Sequence, residues 1–197
     1  MSLRSLLQQL RKPAPARVRA FLGDTRGAAA VELAVITPVI LSIFFGTAEL
    51  AQGFAIDRKL TITARALSDL VGQATTISNA DMTNIFTAAN AIMTPYSASP
   101  LKARVTAVNI DGSGTATVGW ADHSNWSVVG APGAAVTIPA ALRIPNTQII
   151  WSEVQYGYTP PFAYYITGML NLTEQFFARP RQSNTICRPE QSVTTCS

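Results

Sequence analysis

The chain has 197 residues, 48% of them hydrophobic, with a formal charge of +4 at pH 7 and a pI near 9.4. One histidine and two cysteines exclude a multi-histidine metal cluster and fall short of the four ligands a structural zinc takes. The basic excess is confined to residues 1–27, where Arg4, Arg11, Lys12, Arg17, Arg19 and Arg26 face only Asp24. The rest of the chain carries nine basic against ten acidic residues, so the pI is no argument for a nucleic-acid partner.

Residues 1–27 read as a basic cytoplasmic leader, because Lys and Arg beside a membrane span hold that flank in the cytoplasm. Leu3, Leu6, Leu7 and Leu10 also recur at the spacing of a short amphipathic surface helix, which Pro13 and Pro15 would end. The two readings of the leader are compatible.

From Ala28 to Ala48 the chain is apolar apart from one charge, Glu32. At about 1.5 Å per residue this run makes a helix of roughly 31 Å, long enough to cross a bilayer core. A secretory signal has an apolar core of only about 7–15 residues with small residues after it, whereas here they come before. Residues 28–50 are therefore expected to be a transmembrane helix and 51–197 an extracytoplasmic head. A carboxylate at bilayer centre costs on the order of 2.5–3.5 kcal/mol. Glu32, near the cytoplasmic end, costs less, and either snorkels to the headgroups or pairs with a cation of a neighbouring helix. Pro38 lies within the run and predicts a kink, which membrane helices tolerate.

The helix is expected to continue past the membrane. Leu50, Phe54, Asp57, Leu60 or Thr61, Ala64, Leu67 and Val71 fall on one mostly apolar stripe, and Gly72 marks its end. Ser78-Asn79-Ala80-Asp81 has the form of a helix start, followed by Met82, Ile85, Phe86, Ala89, Ile92 and Met93 at helical spacing and ended by Pro95. The methionines are read as core packing.

Beyond Pro100 the composition turns to strand formers. Ala103–Ile110 and Thr115–Trp120, joined by Asp111-Gly112-Ser113-Gly114, predict a β-hairpin with Ala116, Val118 and Trp120 on one face. Residues 121–147, punctuated by Gly130, Pro132, Gly133, Pro139 and Pro145, predict a long excursion with one extended piece at Val136–Ile138. Gln148–Tyr158 alternates as a strand, with Ile150, Val154, Tyr156 and Tyr158 on one face and Glu153 and Gln155 on the other. Residues 162–179 predict a short helical segment, then a strand returning beside 148–158. The fold class expected is α+β: a long N-terminal helix leading into a helix and a small antiparallel sheet.

Cys187 and Cys196 fall on the non-cytoplasmic side, where disulfides persist. Closing that loop of about 10 residues would stabilise the fold by roughly 2–3 kcal/mol on the chain-entropy model. Two free thiols are the alternative.

No nucleophile elbow, phosphate loop or dinucleotide fingerprint occurs. Asp122-His123-Ser124 holds triad residue types at adjacent positions, which cannot form the relay that geometry requires, so His123 reads as a solvated loop residue. Neither a catalytic site nor a cofactor or metal site is expected.

A basic leader, Gly27, four small or apolar residues, Glu32 and an unbroken apolar run form the type IV prepilin pattern. The form Arg26-Gly27-Ala28-Ala29-Ala30-Val31-Glu32-Leu33-Ala34, with Pro38 six residues after the glutamate, resembles the TadE-like proteins of tight-adherence (Flp) pilus systems. Glu153–Pro160 and Ala178-Arg179-Pro180-Arg181 also resemble the carboxyl halves of that family, whereas 121–147 shows no such pattern.

The resemblance implies a pilin-like fold and a minor pilin or pseudopilin role. It further implies a prepilin-peptidase cut between Gly27 and Ala28, with other pilin subunits and the assembly machinery as partners. The place implied is the bacterial inner membrane, with the N-terminus cytoplasmic, the head periplasmic, and entry into an extracellular pilus as the further step. After such a cut Glu32 is the fifth residue, about 6 Å along the helix from a new amino group of pKa roughly 8. It can then pair with the terminal ammonium of a neighbour and set axial register. The alternative is a signal-anchored single-pass periplasmic binding protein with no role in a filament.

Overall fold

The computed structural model describes residues 26–126, 130–162 and 168–191. The leucine pattern at 3–10, the helical segment expected around 163–167, and Cys196 lie outside the described residues. The described residues fall into two compact units, divided between Thr47 and Ala48.

Helix α1 spans Arg26–Gly72, 47 residues with Pro38 inside it. It ends where the sequence predicts. Gly72 is buried there, its carbonyl accepts the Arg181 amide at 2.8 Å, and a Cβ on it would lie 3.3 Å from the Arg179 carbonyl oxygen. Helix α2 spans Asn79–Ile92 and opens on the expected capping box. The Ser78 hydroxyl accepts from the Asp81 amide, and the Asp81 carboxylate accepts from the Ser78 amide at 2.9 Å. Hydrogen bonds from the Ser78 backbone and side chain hold the Asp81 carboxyl below the usual carboxylate range.

Four strands follow: β1 Leu101–Ile110, β2 Ala116–Ser124, β3 Thr147–Tyr158 and β4 Leu170–Ala178. They form one antiparallel sheet in the order β2-β1-β3-β4. In the β1–β2 turn the Asp111 carboxylate accepts the Ser113 and Thr115 amides at 2.8 Å each, and Gly114 takes a φ of +84° that disfavours other residues.

The alternation predicted for β3 is the one observed, and β4 returns beside it as expected. Ile150, Ser152, Val154, Tyr156 and Tyr158 share a face with Leu172, Glu174, Phe176 and Ala178 through the register Tyr156↔Leu172 and Ser152↔Phe176. That face packs on Leu60, Ala64, Leu67 and Val71 of α1 and on Met82, Phe86 and Ala89 of α2. The head is thus two layers, helices on one face of an antiparallel sheet, and the class is α+β.

Three details depart from the sequence reading. First, β2 runs on to Ser124, so Asp122 and His123 belong to a strand rather than a loop. Second, a bulge shifts the register so that Ala107 faces Trp120 while Val108 faces Val118. Ala107 and Val108 point to opposite faces, so Trp120 joins the helix-side core while Ala116 joins Val108, Ile110, Ile138 and Ile149 on the outer face. Gly119 is the extra residue, and Asn109 fills the space a Cβ would need, 2.8 Å away.

Third, the upper half of the α1 stripe is rotated. Leu50 and Phe54 are 64% and 73% exposed, while Glu49 and Ile56 are buried. One residue is 100° on a helix, so the face presented to the head runs through 49, 53, 56 and 60 before joining the predicted stripe. The excursion 130–146 includes a 3-10 turn at Ala140–Leu142. Its extended piece lies against β2, with Val118 N–H donating to Ala134 O at 2.9 Å and Val136 N–H to Ala116 O at 3.0 Å.

Candidate membrane anchor and assembly site

The first part of α1 is built from residues that are sound helix formers in lipid and ill suited to water. Val31, Leu33, Val35, Ile36, Val39, Ile40, Leu41, Ile43 and Phe44 are all exposed, on every side of the helix. Soluble monomers rarely expose contiguous apolar surface beyond a few hundred Å². Such a helix needs lipid or other helices around it, and it is long and apolar enough to cross a membrane.

Its polar groups are arranged to suit that setting. Thr37 Oγ1 donates to the Leu33 carbonyl at 2.6 Å, Ser42 Oγ to the Pro38 carbonyl at 2.7 Å, and Thr47 Oγ1 to the Phe44 carbonyl at 2.9 Å. Each hydroxyl is satisfied on the helix's own backbone, which hydrocarbon requires. Two of these bonds flank Pro38, which has no N–H to give the ladder.

Glu32 stands exposed on this helix, and among the described residues it has no ion pair. Gly27 is open: a Cβ there would meet nothing within 4 Å, so packing inside the chain places no demand for glycine at that position.

Within the second unit a further acid, missed by the sequence reading, sits at the start of the head. Glu49 is buried, its carboxylate accepts the Phe162 amide, and its carbonyl accepts the Tyr158 hydroxyl at 3.2 Å. Burial, then the Glu49 charge and Tyr96, push the Tyr158 phenol up. The available signal was the position of Glu49, directly after the apolar run. An acid placed there without a partner would be costly.

The outer sheet face carries a second cluster that the alternation implied but the sequence reading did not assemble. Arg104 on β1 pairs with Glu153 on β3, and its guanidinium lies 5.0 Å from the Trp126 ring and 5.8 Å from the Trp151 ring. Trp151 stacks on Phe177 at 5.6 Å and donates Nε1–H to Gln175 at 3.2 Å. A cavity of about 350 Å³ adjoins them, lined by Arg104, Thr106, Val118, Val136, Thr137 and Trp151.

At the carboxyl end Arg188 is buried, paired with Asp122 and donating to Asn79 Oδ1 at 2.8 Å. Asp122 is thus committed to Arg188, and His123 at the strand end is exposed. Cys187 is held in a bridge to Thr76: its N–H donates to the Thr75 carbonyl and its carbonyl accepts the Ile77 amide, both at 2.9 Å. Among the described residues no three His, Cys, Asp or Glu side chains are grouped to hold a metal.

Residues 27–67 match the family model for TadE-like protein. The TadE-like match begins at the glycine of the prepilin pattern, covers the apolar run, and ends inside the part of α1 that packs on the head. It points to involvement in the tight-adherence pilus system and to attachment through the apolar helix. It does not reach the two carboxyl-half patches at 153–160 and 178–181. No curated protein and no solved structure matches the chain.

Proposed function

We propose that this protein is a non-catalytic minor pilin or pseudopilin subunit, anchored in the bacterial inner membrane and used in assembling a tight-adherence pilus. The observation that carries the reading is a coincidence of three features in one segment. The TadE-like match at 27–67 takes in both the helix exposed on all sides and the lone acid Glu32.

In this reading residues 1–27 stay in the cytoplasm and the head is periplasmic. Prepilin peptidase cuts between Gly27 and Ala28, and Glu32 pairs with the new terminal ammonium of a neighbouring subunit. The pair neutralises two charges that are each costly when buried alone, and it fixes axial register. Pro38 bends the helix within the bundle. A Cys187–Cys196 disulfide ties the tail to Cys187, whose backbone bonds to Thr75 and Ile77 hold it on the head.

The test is the mature N-terminus of protein made with its cognate peptidase, joined to a Glu32→Gln variant. Ala28 as first residue, with the variant inserted and cleaved but unable to support piliation, is the expected result. An intact Met1, or normal piliation by the variant, overturns it.

The outer-face cavity beside Arg104, Trp151 and Thr137 favours a second reading, a tethered binding head with no filament role. The same N-terminal analysis separates the two, since that reading keeps Met1.

A further inference from the structure

Five large apolar side chains of the second unit stand exposed at one end of the head: Leu50, Phe54, Phe162, Met169 and Leu170, from 41% to 73%. Named contacts place Phe162, Met169 and Leu170 at the Tyr158 end of β3, the end that meets Glu49. Phe162 is tied through its amide to the Glu49 carboxylate, and Tyr158 donates its hydroxyl to the Glu49 carbonyl. Leu170 pairs with Tyr158 in the β3–β4 register. Met169 Sδ lies 3.1 Å from the Cβ position of Gly157, and the Tyr158 ring lies 3.7 Å from that of Gly53.

The height of this patch on α1 is fixed by helix geometry. The apolar run ends at Ala48, so Leu50 and Phe54 lie about 3 and 9 Å beyond it at about 1.5 Å per residue. The headgroup layer on each side of a core of about 30 Å is roughly 5–8 Å thick. With the core ending at Ala48, Leu50 falls within the headgroup layer and Phe54 at its outer edge.

Composition agrees. Residues 154–173 contain no Asp, Glu, Lys, Arg or His, so no charged side chain of this run is drawn into the headgroup layer. A loop facing water would gain nothing from such a run.

We infer that the end of the head formed by Phe162, Met169 and Leu170 is a lipid-facing platform that dips into the headgroup layer of the bilayer holding α1. Glu49 is the device that makes this possible. Its buried carboxylate holds the Phe162 amide just past the apolar run, so that Phe162 stands exposed at the same end of the head as Leu50 and Phe54. The inference rests on α1 spanning the membrane and adds that the head itself is seated on the bilayer.

The experiment places an encoded fluorescent amino acid at position 162 or 169 of the full chain. Position 44 in the apolar run and position 144 serve as references. Ile144 precedes β3 by three residues, and Tyr158 ends that strand, about 36 Å from Thr147 at ~3.3 Å per residue. The proteins are reconstituted in phosphatidylcholine and phosphatidylglycerol vesicles, with a nitroxide on the lipid or iodide in the water as quencher.

Positions 162 and 169 are expected to be quenched several-fold more by a shallow lipid nitroxide than position 144, and several-fold less by iodide. Quenching at 162 and 169 equal to that at 144, with position 44 still quenched by lipid, overturns the platform and leaves the anchor standing. Absence of lipid quenching at position 44 overturns the membrane reading and the platform with it. Shielding of 162 and 169 from both quenchers assigns the patch to a second copy of the chain and also overturns the inference.

Discussion

The seam between α1 and the sheet contains a buried pair of serine hydroxyls, and its cost of removal can be worked out. Ser152 Oγ donates to the Ala64 carbonyl at 2.6 Å, and Ser68 Oγ lies 2.7 Å from it, both serines fully buried. A net hydrogen bond contributes about 1 kcal/mol, and a buried donor left unpaired costs about 1–3 kcal/mol. In Ser152→Ala the Ala64 carbonyl keeps its helical partner, and Ser68 Oγ can still donate to the Phe176 carbonyl at 3.3 Å. The loss therefore falls at the low end, about 1–2 kcal/mol. Ser68→Ala costs about the same, because Ser152 retains its bond to Ala64.

Removing both hydroxyls leaves an apolar contact with no orphaned partner, so the double variant costs less than the two single changes added together. The coupling is about 1 kcal/mol. Denaturant unfolding of the full chain in detergent, followed by tryptophan fluorescence, measures all three. Strict additivity, or a single-variant loss below about 0.5 kcal/mol, refutes the claim that this pair fastens helix to sheet.

Other outcomes follow from the same structure. Reducing the protein should lower its stability by roughly 2–3 kcal/mol if Cys187 and Cys196 are joined. Thiol counting under denaturing conditions, with and without reductant, checks the bond. The Asp81 carboxyl is held low, so its stabilisation is present above the unfolded range near 3.9 and is lost as pH falls through the lowered value. Asp81→Asn should melt below wild type at neutral pH, and the gap should close in acid.

Glu174 is pushed up by burial first and by Asp57 next, against Arg65. Its cost is absent below about pH 4.3 and appears as pH rises through the raised value, so Glu174→Gln should melt above wild type at pH 7 but not in acid. Leu67→Ala, at a fully buried α1 position, should cost about 2–5 kcal/mol in the same unfolding assay.

Features set by short-range pattern were open to sequence reading. An unbroken apolar run of bilayer length needs no tertiary context, and Ser78 with Asp81 caps a helix through atoms three residues apart. The alternation in β3 and β4 carries its own face assignment, since side chains on a strand have a period of two. Gly27, Glu32 and Pro38 form a local pattern of the same kind, since they are positions along one helix, and the TadE-like match covers all three.

What the tertiary structure alone decided is where two continuations are locally equal. A helix apolar through Leu50, Phe54, Gly53 and Ile56 offers more than one stripe, and only the seat of Tyr158 against Gly53 selects the one that buries Glu49 and turns Leu50 and Phe54 outward. The bulge at Gly119 moves Trp120 to the opposite face from Val118, a one-residue slip that alternation cannot announce because each half still alternates. The Arg104–Glu153 and Arg188–Asp122 pairs join residues 49 and 66 positions apart. Charge complementarity over such distances becomes specific only once the sheet register brings the partners together.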